Sequence, residues 1–265
     1  MELPSVLDRS VVQKAALSWE QKRYLKRMTL QVCLIGQEGF VLASDTRGVR
    51  LGPGEITQHY STSKIYLNER ECAAWCSSGH DLGKRLCERL SELFADLTSD
   101  SQRTFTQLSH CVRDAAAEVQ VSGFEREMQL GKGKLLLVAQ REYEIRGFIF
   151  ELGWGTNPQK WGTVGGECFK DKMNSGATGN AAIFFPERHY SKALQESELT
   201  RLAAHTVLMG HQLDPGPING LEVVVCRSGT LHRLTQDELE SLQQFSNSLD
   251  DLLAKQFSQA PDVIG

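Results

Sequence analysis

The stretch RMTLQVCLIGQEGFVLASDTRG, residues 27–48, constrains the fold of this chain more than any other. Thr29 to Ile35 and Phe40 to Ser44 are strand-like, and GQEG between them supplies turn glycines at 36 and 39, so the segment reads as a β-hairpin. A methionine-threonine pair opens what reads as the first core strand, and an aspartate closes the second. Upstream, VVQKAALSWEQKRYLKR (residues 11–27) favours a helix with basic side chains toward its end, and residues 1–10 hold Pro, Ser and charges. Residues 1–28 therefore read as a helical N-terminal extension or leader, and 29–265 as one domain.

Downstream, Lys64 to Leu67 and Cys72 to Ser77 read as a second strand pair after a Gly- and Pro-containing loop, GVRLGPGEITQHYSTS. Leu82, Leu86, Leu90, Leu93 and Leu97 recur at helical spacing, and Phe105, Leu108, Val112, Ala116 and Val119 repeat that pattern. Strands are expected again at 134–139, 144–151 and about 162–168. A short helix follows near 179–185 and a longer one over 197–209. LEVVVCR and TLHRL form a hairpin through Ser228-Gly229, and Thr235 with Glu238 makes a capping box before the last helix. Strands, helices, strands, helices, strands and a helix describe an α+β fold, a four-layer αββα sandwich with helices outside two stacked sheets.

Charge and cysteine usage narrow the function. Of 265 residues 40% are hydrophobic and 23% charged, and the net charge of -4 leaves no basic surplus to neutralise phosphates, which excludes nucleic acid as a partner. Seven cysteines, an odd number, fall partly inside apolar runs such as LQVCLI and VVVCR, which points to a reducing compartment and a cytoplasmic protein. No CxxC or HxH pairing suggests a metal. Apolar stretches are far short of the roughly 20 residues that span a bilayer, so no membrane partner is expected. Peptide or small-molecule chemistry fits this composition.

A threonine becomes a usable nucleophile when it is the first residue, because its own α-amine can take the hydroxyl proton. A lysine held by an aspartate can bias that amine toward its neutral form. Thr29, Asp45 and Lys64 are these residue types, each at a strand end. MTLQVCLIGQEGFVLASDTR resembles the start of a proteasome β-type subunit, of the N-terminal-nucleophile (Ntn) hydrolase superfamily that includes bacterial proteasome-like proteases. The resemblance implies the Ntn-hydrolase form of the αββα sandwich, a threonine-type endopeptidase with Thr29 as nucleophile, Asp45 and Lys64 as its charged partners, and no cofactor. It further implies Gly79, in SSGHDLGKRL, as oxyanion donor, Ser175 in NSGATG and Asp214 as supporting residues, and Thr46, Gly48 and Cys76 as neighbours of the site. Pro217 stands where the family places a second supporting serine.

The same resemblance implies a protein or peptide substrate, a homo-oligomeric ring, and an ATPase or regulatory partner. Two readings from other classes are a noncatalytic α-type-like scaffold subunit that keeps residues 1–28, and an amide hydrolase of this fold acting on small molecules. The peptidase reading requires residues 1–28 to be absent, through cleavage before Thr29 or through synthesis beginning at Met28.

Overall fold

The computed structural model describes residues 29–51, 57–70, 72–78, 87, 90, 110–114, 133–141, 144–154, 161–177, 179–216 and 218–258. The expected helix at 11–27, together with Gly79 and Pro217, lies outside them. So do most of the residues expected to form the two helices between 80 and 119.

The opening hairpin is β1 (Leu30–Ile35) and β2 (Gly39–Ser44), both buried along their whole length. Their runs are apolar at nearly every position because both faces are covered. Val32, Leu34, Val41 and Ala43 point one way, and Cys33, Ile35, Phe40 and Leu42 the other. Each Val, Leu, Ile or Phe of this set taken fully out of water contributes about 1.5–3 kcal/mol, so the hairpin is a large part of the core. Gly39 is required in this hairpin: a Cβ there would run into the carbonyl of Cys226 on the neighbouring strand.

β3 (Arg47–Leu51) and β4 (Thr57–Ser61) pair as a two-stranded sheet. β5 (Ile65–Asn68), β6 (Ala73–Ser78), β7 (Gly133–Arg141), β8 (Glu144–Trp154) and β9 (Trp161–Phe169) form a five-stranded antiparallel meander in that order. β10 (Lys172–Gly176) returns to the first sheet beside β1, and β11 (Glu222–Arg227) with β12 (Thr230–Arg233) completes it in the order β10-β1-β2-β11-β12. The β11–β12 turn has positive φ at both Ser228 (47°) and Gly229 (81°), the backbone of a two-residue hairpin turn matched to strand twist.

A 3-10 turn (Ala181–Ile183) leads into helices α1 (Phe184–His189), α2 (Glu196–Leu213) and α3 (Gln236–Ser258). Gln195 and Glu198 cap the start of α2 reciprocally, and Thr235 and Glu238 do the same for α3. Leu199, Ala203, Ala204 and Val207 of α2 cover the outer face of β1, β2 and β11, and Leu239 and Leu242 of α3 join them.

The two five-stranded sheets pack face to face. Cys33, Phe40, Leu42, Val224 and Cys226 of the first meet Ile65, Ala74, Cys76, Leu136, Val138 and Ile149 of the second. On the far face of the second sheet, Trp75, Leu137 and Phe150 pack with Cys87, Leu90 and Val112.

The expected four-layer αββα sandwich is corrected by these elements. The described chain is three antiparallel sheets accompanied by four helical elements, a β-rich fold. Two physical features separate the outcome from the expectation. The loop assigned to 48–63 contributes β3 and β4, and β7, β8 and β9 run to 9, 11 and 9 residues, longer than their apolar cores. The amphipathic spacing at 80–119 that argued for an outer helical layer falls almost wholly outside the described residues.

Candidate active site

Thr29 precedes β1 and shares the side-chain parity of Cys33 and Ile35, so it faces the space between the two large sheets. It is 3% exposed. Its carbonyl accepts the Ala177 N–H from the end of β10, which pins the residue from the side opposite β2. Asp45 immediately follows β2 and is fully buried. Its Oδ1 accepts the Leu30 N–H (2.8 Å) and its Oδ2 the Arg47 N–H (3.1 Å), so two backbone amides set the carboxylate.

Lys64 enters from the other sheet, one residue before β5. Its Nζ donates to Asp45 Oδ2 at 2.7 Å and to Thr29 Oγ1 at 2.9 Å, with only a tenth of its side chain exposed. The three residues singled out from the sequence thus form one hydrogen-bonded group. Burial pushes the Asp45 carboxyl up from its ordinary value and the Lys64 amine down, and each group opposes the shift of the other. An ammonium buried in this way yields its proton more readily than one in water.

Glu222, at the start of β11, is a residue that sequence reasoning missed. Its carboxylate accepts the Ser63 hydroxyl (2.7 Å) and the backbone N–H groups of Lys64 (2.9 Å) and Ile65 (3.2 Å), and it pairs with Arg233. It therefore fixes the main chain from which Lys64 reaches Thr29. The available signal was a carboxylate entering the apolar run EVVVC, since a buried charge there requires partners.

The other expected site residues are placed differently. Ser175 is fully buried opposite Gln31 in the β1–β10 ladder, and its hydroxyl donates to Gln31 Oε1. It supports the strand that follows Thr29 and makes no described contact with Thr29 itself. Asp214 caps the end of α2, its N–H donating to Gly210 O (3.0 Å) and its carbonyl accepting from Ile218 N (3.3 Å). Among the described contacts none brings its carboxylate to Thr29. Cys76 is fully buried between the sheets, where burial pushes its thiol well up, so it fills space as a small apolar side chain. One residue past Asp45, an open cleft of about 300 Å³ is lined by Thr46, Arg47, His59, Tyr60, Ser61, Asn219 and Gly220. A Cβ on Gly48 would meet the Tyr60 ring beside it.

Among the described residues no group of three or more His, Cys, Asp or Glu side chains is placed to hold a metal, and no described helix is long and apolar enough to cross a membrane.

At the level of fold the chain is similar to many solved structures, Anbu (ancestral beta-subunit) proteins among them. Anbu from Yersinia bercovieri shares 15% sequence identity, with a TM-score of 0.67 over 89% of this chain and 100% of that one. Two structures of Anbu from Hyphomicrobium sp. strain MC1 share 16% and 15% identity, with TM-scores of 0.63 and 0.62; they cover 88% and 89% of this chain and 98% and 100% of theirs, and the first is a Gly-1 mutant. No family model and no curated protein matches the chain. The resemblance to proteasome β-type subunits is thereby corrected: what stands is a likeness of fold to ancestral β-subunit chains, without the sequence similarity that membership of the narrower family would carry.

Proposed function

We propose that this chain is a threonine-nucleophile hydrolase that cleaves amide bonds of peptides. The observation that carries the proposal is the Lys64 amine, bridging Thr29 Oγ1 and the backbone-anchored Asp45 carboxylate at 2.9 and 2.7 Å. With residues 1–28 removed, the α-amine of Thr29 takes the Oγ proton while the Lys64 ammonium offsets the negative charge that develops on Oγ. Oγ then attacks the substrate carbonyl and a tetrahedral intermediate forms. The proton passes to the departing amine, an ester to Thr29 remains, and water hydrolyses it. The role of oxyanion donor is assigned to Gly79 as part of the proposal. Ser175 acts through Gln31 on the position of β1, and Asp214 through the end of α2.

The Thr46–Gly220 cleft beside Asp45 offers room for a substrate side chain. Self-association belongs to the same proposal, supported by Phe245, Leu252 and Leu253, which leave an exposed apolar row on α3.

The test is intact mass and labelling of the protein purified from its native host. Loss of residues 1–28, with one β-lactone electrophile attached at Thr29, is the expected result. Thr29→Ala should abolish labelling and peptide hydrolysis while the fold, read by circular dichroism, is kept. Labelling that persists in Thr29→Ala removes Thr29 as the nucleophile.

A further inference from the structure

Cys72 and Cys226 meet away from the candidate active site, with their sulfurs 3.1 Å apart. They lie 154 residues apart in sequence and belong to different sheets: Cys72 in the turn between β5 and β6, Cys226 in β11, an inner strand of the first sheet. A disulfide needs an S–S separation of about 2.05 Å, so closure asks for a movement of about 1 Å. Gln140 of β7 holds both halves of the pair. Its N–H donates to the Cys72 carbonyl (3.0 Å), and its Oε1 accepts from Cys226 Sγ (3.1 Å) and from the Gly229 N–H (3.4 Å).

A second observation concerns the backbone. Cys72 has φ of +46°, a left-handed conformation that turn chemistry normally gives to Gly, Asn or Asp. Local conformation does not ask for cysteine there. The conformation does aim a sulfur into the intersheet core, where the partner thiol sits.

We propose that Cys72 and Cys226 form a site of reversible oxidation, at which a hydroperoxide converts the two thiols into a disulfide that joins the two large sheets covalently. Cys72 is the less enclosed residue of the pair, 8% exposed against complete burial of Cys226, so it is taken as the first thiol to meet a small oxidant. Cys72 attacks one peroxide oxygen, the O–O bond breaks, and the other oxygen leaves as water or an alcohol. Cys226 then attacks the resulting sulfenic acid at sulfur, the S–O bond breaks, and the hydroxyl departs with the Cys226 proton as water. The two electrons lost by the thiols are those gained by the O–O bond. A small thiol reductant reverses the change by exchange.

The test treats the full chain with hydrogen peroxide, quenches in acid, alkylates under denaturing conditions and maps peptides without reduction. A single cross-link between the Cys72 and Cys226 peptides is expected, with Cys33, Cys76 and Cys87 still alkylated. Dithiothreitol should restore both thiols, and the oxidised protein should melt about 5–10 °C above the reduced one. In Cys226→Ala, dimedone should trap a sulfenic acid on Cys72. The proposal is overturned if Cys72 and Cys226 stay alkylated after peroxide, if the cross-link joins other cysteines, or if Cys72 proceeds to sulfinic acid in the wild-type chain without pairing. The wild-type map decides the matter even if the variant does not fold.

Discussion

Replacing Asp45 by Asn tests whether the carboxylate holds a charged lysine inside the fold. In the native chain Asp45 accepts three hydrogen bonds, from Leu30 N, Arg47 N and Lys64 Nζ. An asparagine keeps one acceptor for Leu30 but turns an NH₂ toward two donors, so the Arg47 amide and the Lys64 ammonium lose their acceptor together. With Lys64 only a tenth exposed, the dominant cost is a buried charge without its partner, about 3–5 kcal/mol. Equilibrium urea unfolding at pH 7 should show that loss. Its pH dependence carries the sign. Without Asp45 the folded pKa of Lys64 falls further below its unfolded value of about 10.4. The unfolded state then binds more protons than the folded one, so the stability of the variant rises with pH between those two values. The deficit against wild type should therefore shrink from pH 7 to pH 9.5. Adding Lys64→Met to Asp45→Asn removes the stranded charge and should recover most of the loss, a strongly non-additive double-mutant cycle. A deficit under about 1 kcal/mol at pH 7, or simple additivity with Lys64→Met, would refute the idea of a mutually dependent buried pair.

Three further outcomes can be measured. Glu222→Gln keeps one acceptor for the amides of Lys64 and Ile65 and should cost about 1–2 kcal/mol in urea unfolding, together with slower β-lactone labelling at Thr29; unchanged labelling would show that Lys64 is positioned by other groups. Gly39→Ala forces a methyl group onto the Cys226 carbonyl and should cost about 1–3 kcal/mol, more than Gly165→Ala in β9, whose Cβ would meet only Glu151 Oε2 at 3.5 Å; equal losses would contradict the close approach of β2 and β11. His205, buried between α2 and α3, binds Ser246 Oγ through Nδ1 at 2.8 Å, and burial holds its pKa below the ordinary value against the opposing pull of Asp250. Its contribution is present above about pH 6.5 and is lost as the unfolded state takes up protons below that, so wild type should lose more melting temperature than His205→Gln between pH 7.5 and 5. Parallel acid sensitivity in both proteins would exclude the histidine as the cause.

The parts of the fold legible in the sequence were those whose pattern reported burial directly. LQVCLI and EVVVC are apolar over most of their length because helices cover one face of the first sheet and the second sheet covers the other. The capping box at Thr235 and the turn at Ser228-Gly229 were legible because their chemistry is local. By contrast, RGVRL and TQHYS form β3 and β4 although Arg47, Gly48 and Arg50 and the intervening Gly52-Pro53-Gly54 read as loop, since a small surface ladder needs backbone pairing and little apolar pattern. β10, KMNSG, was hidden in the same way: its register with β1 holds it, not its own propensity. At the candidate site, Thr29, Asp45 and Lys64 were singled out by the resemblance of the opening hairpin and of SKIY to proteasome β-type subunits, and their places beside strands that can be read from the sequence made that comparison possible. Ser175 and Asp214 could be named but not placed, because their partners, Gln31 and the end of α2, depend on tertiary register. Glu222 escaped because its contacts are with residues about 160 positions away.

Three described contacts hold Thr29 and the residue after it. The Thr29 carbonyl is held by Ala177, the next amide by Asp45, and the Thr29 hydroxyl by Lys64. Each of these grips lies on the hydroxyl, the carbonyl or the Leu30 side of the residue. None of these three contacts runs through the bond between Met28 and Thr29, so under the proposed maturation they would stay in place while that bond is cut, and the nucleophile would be positioned before it is released.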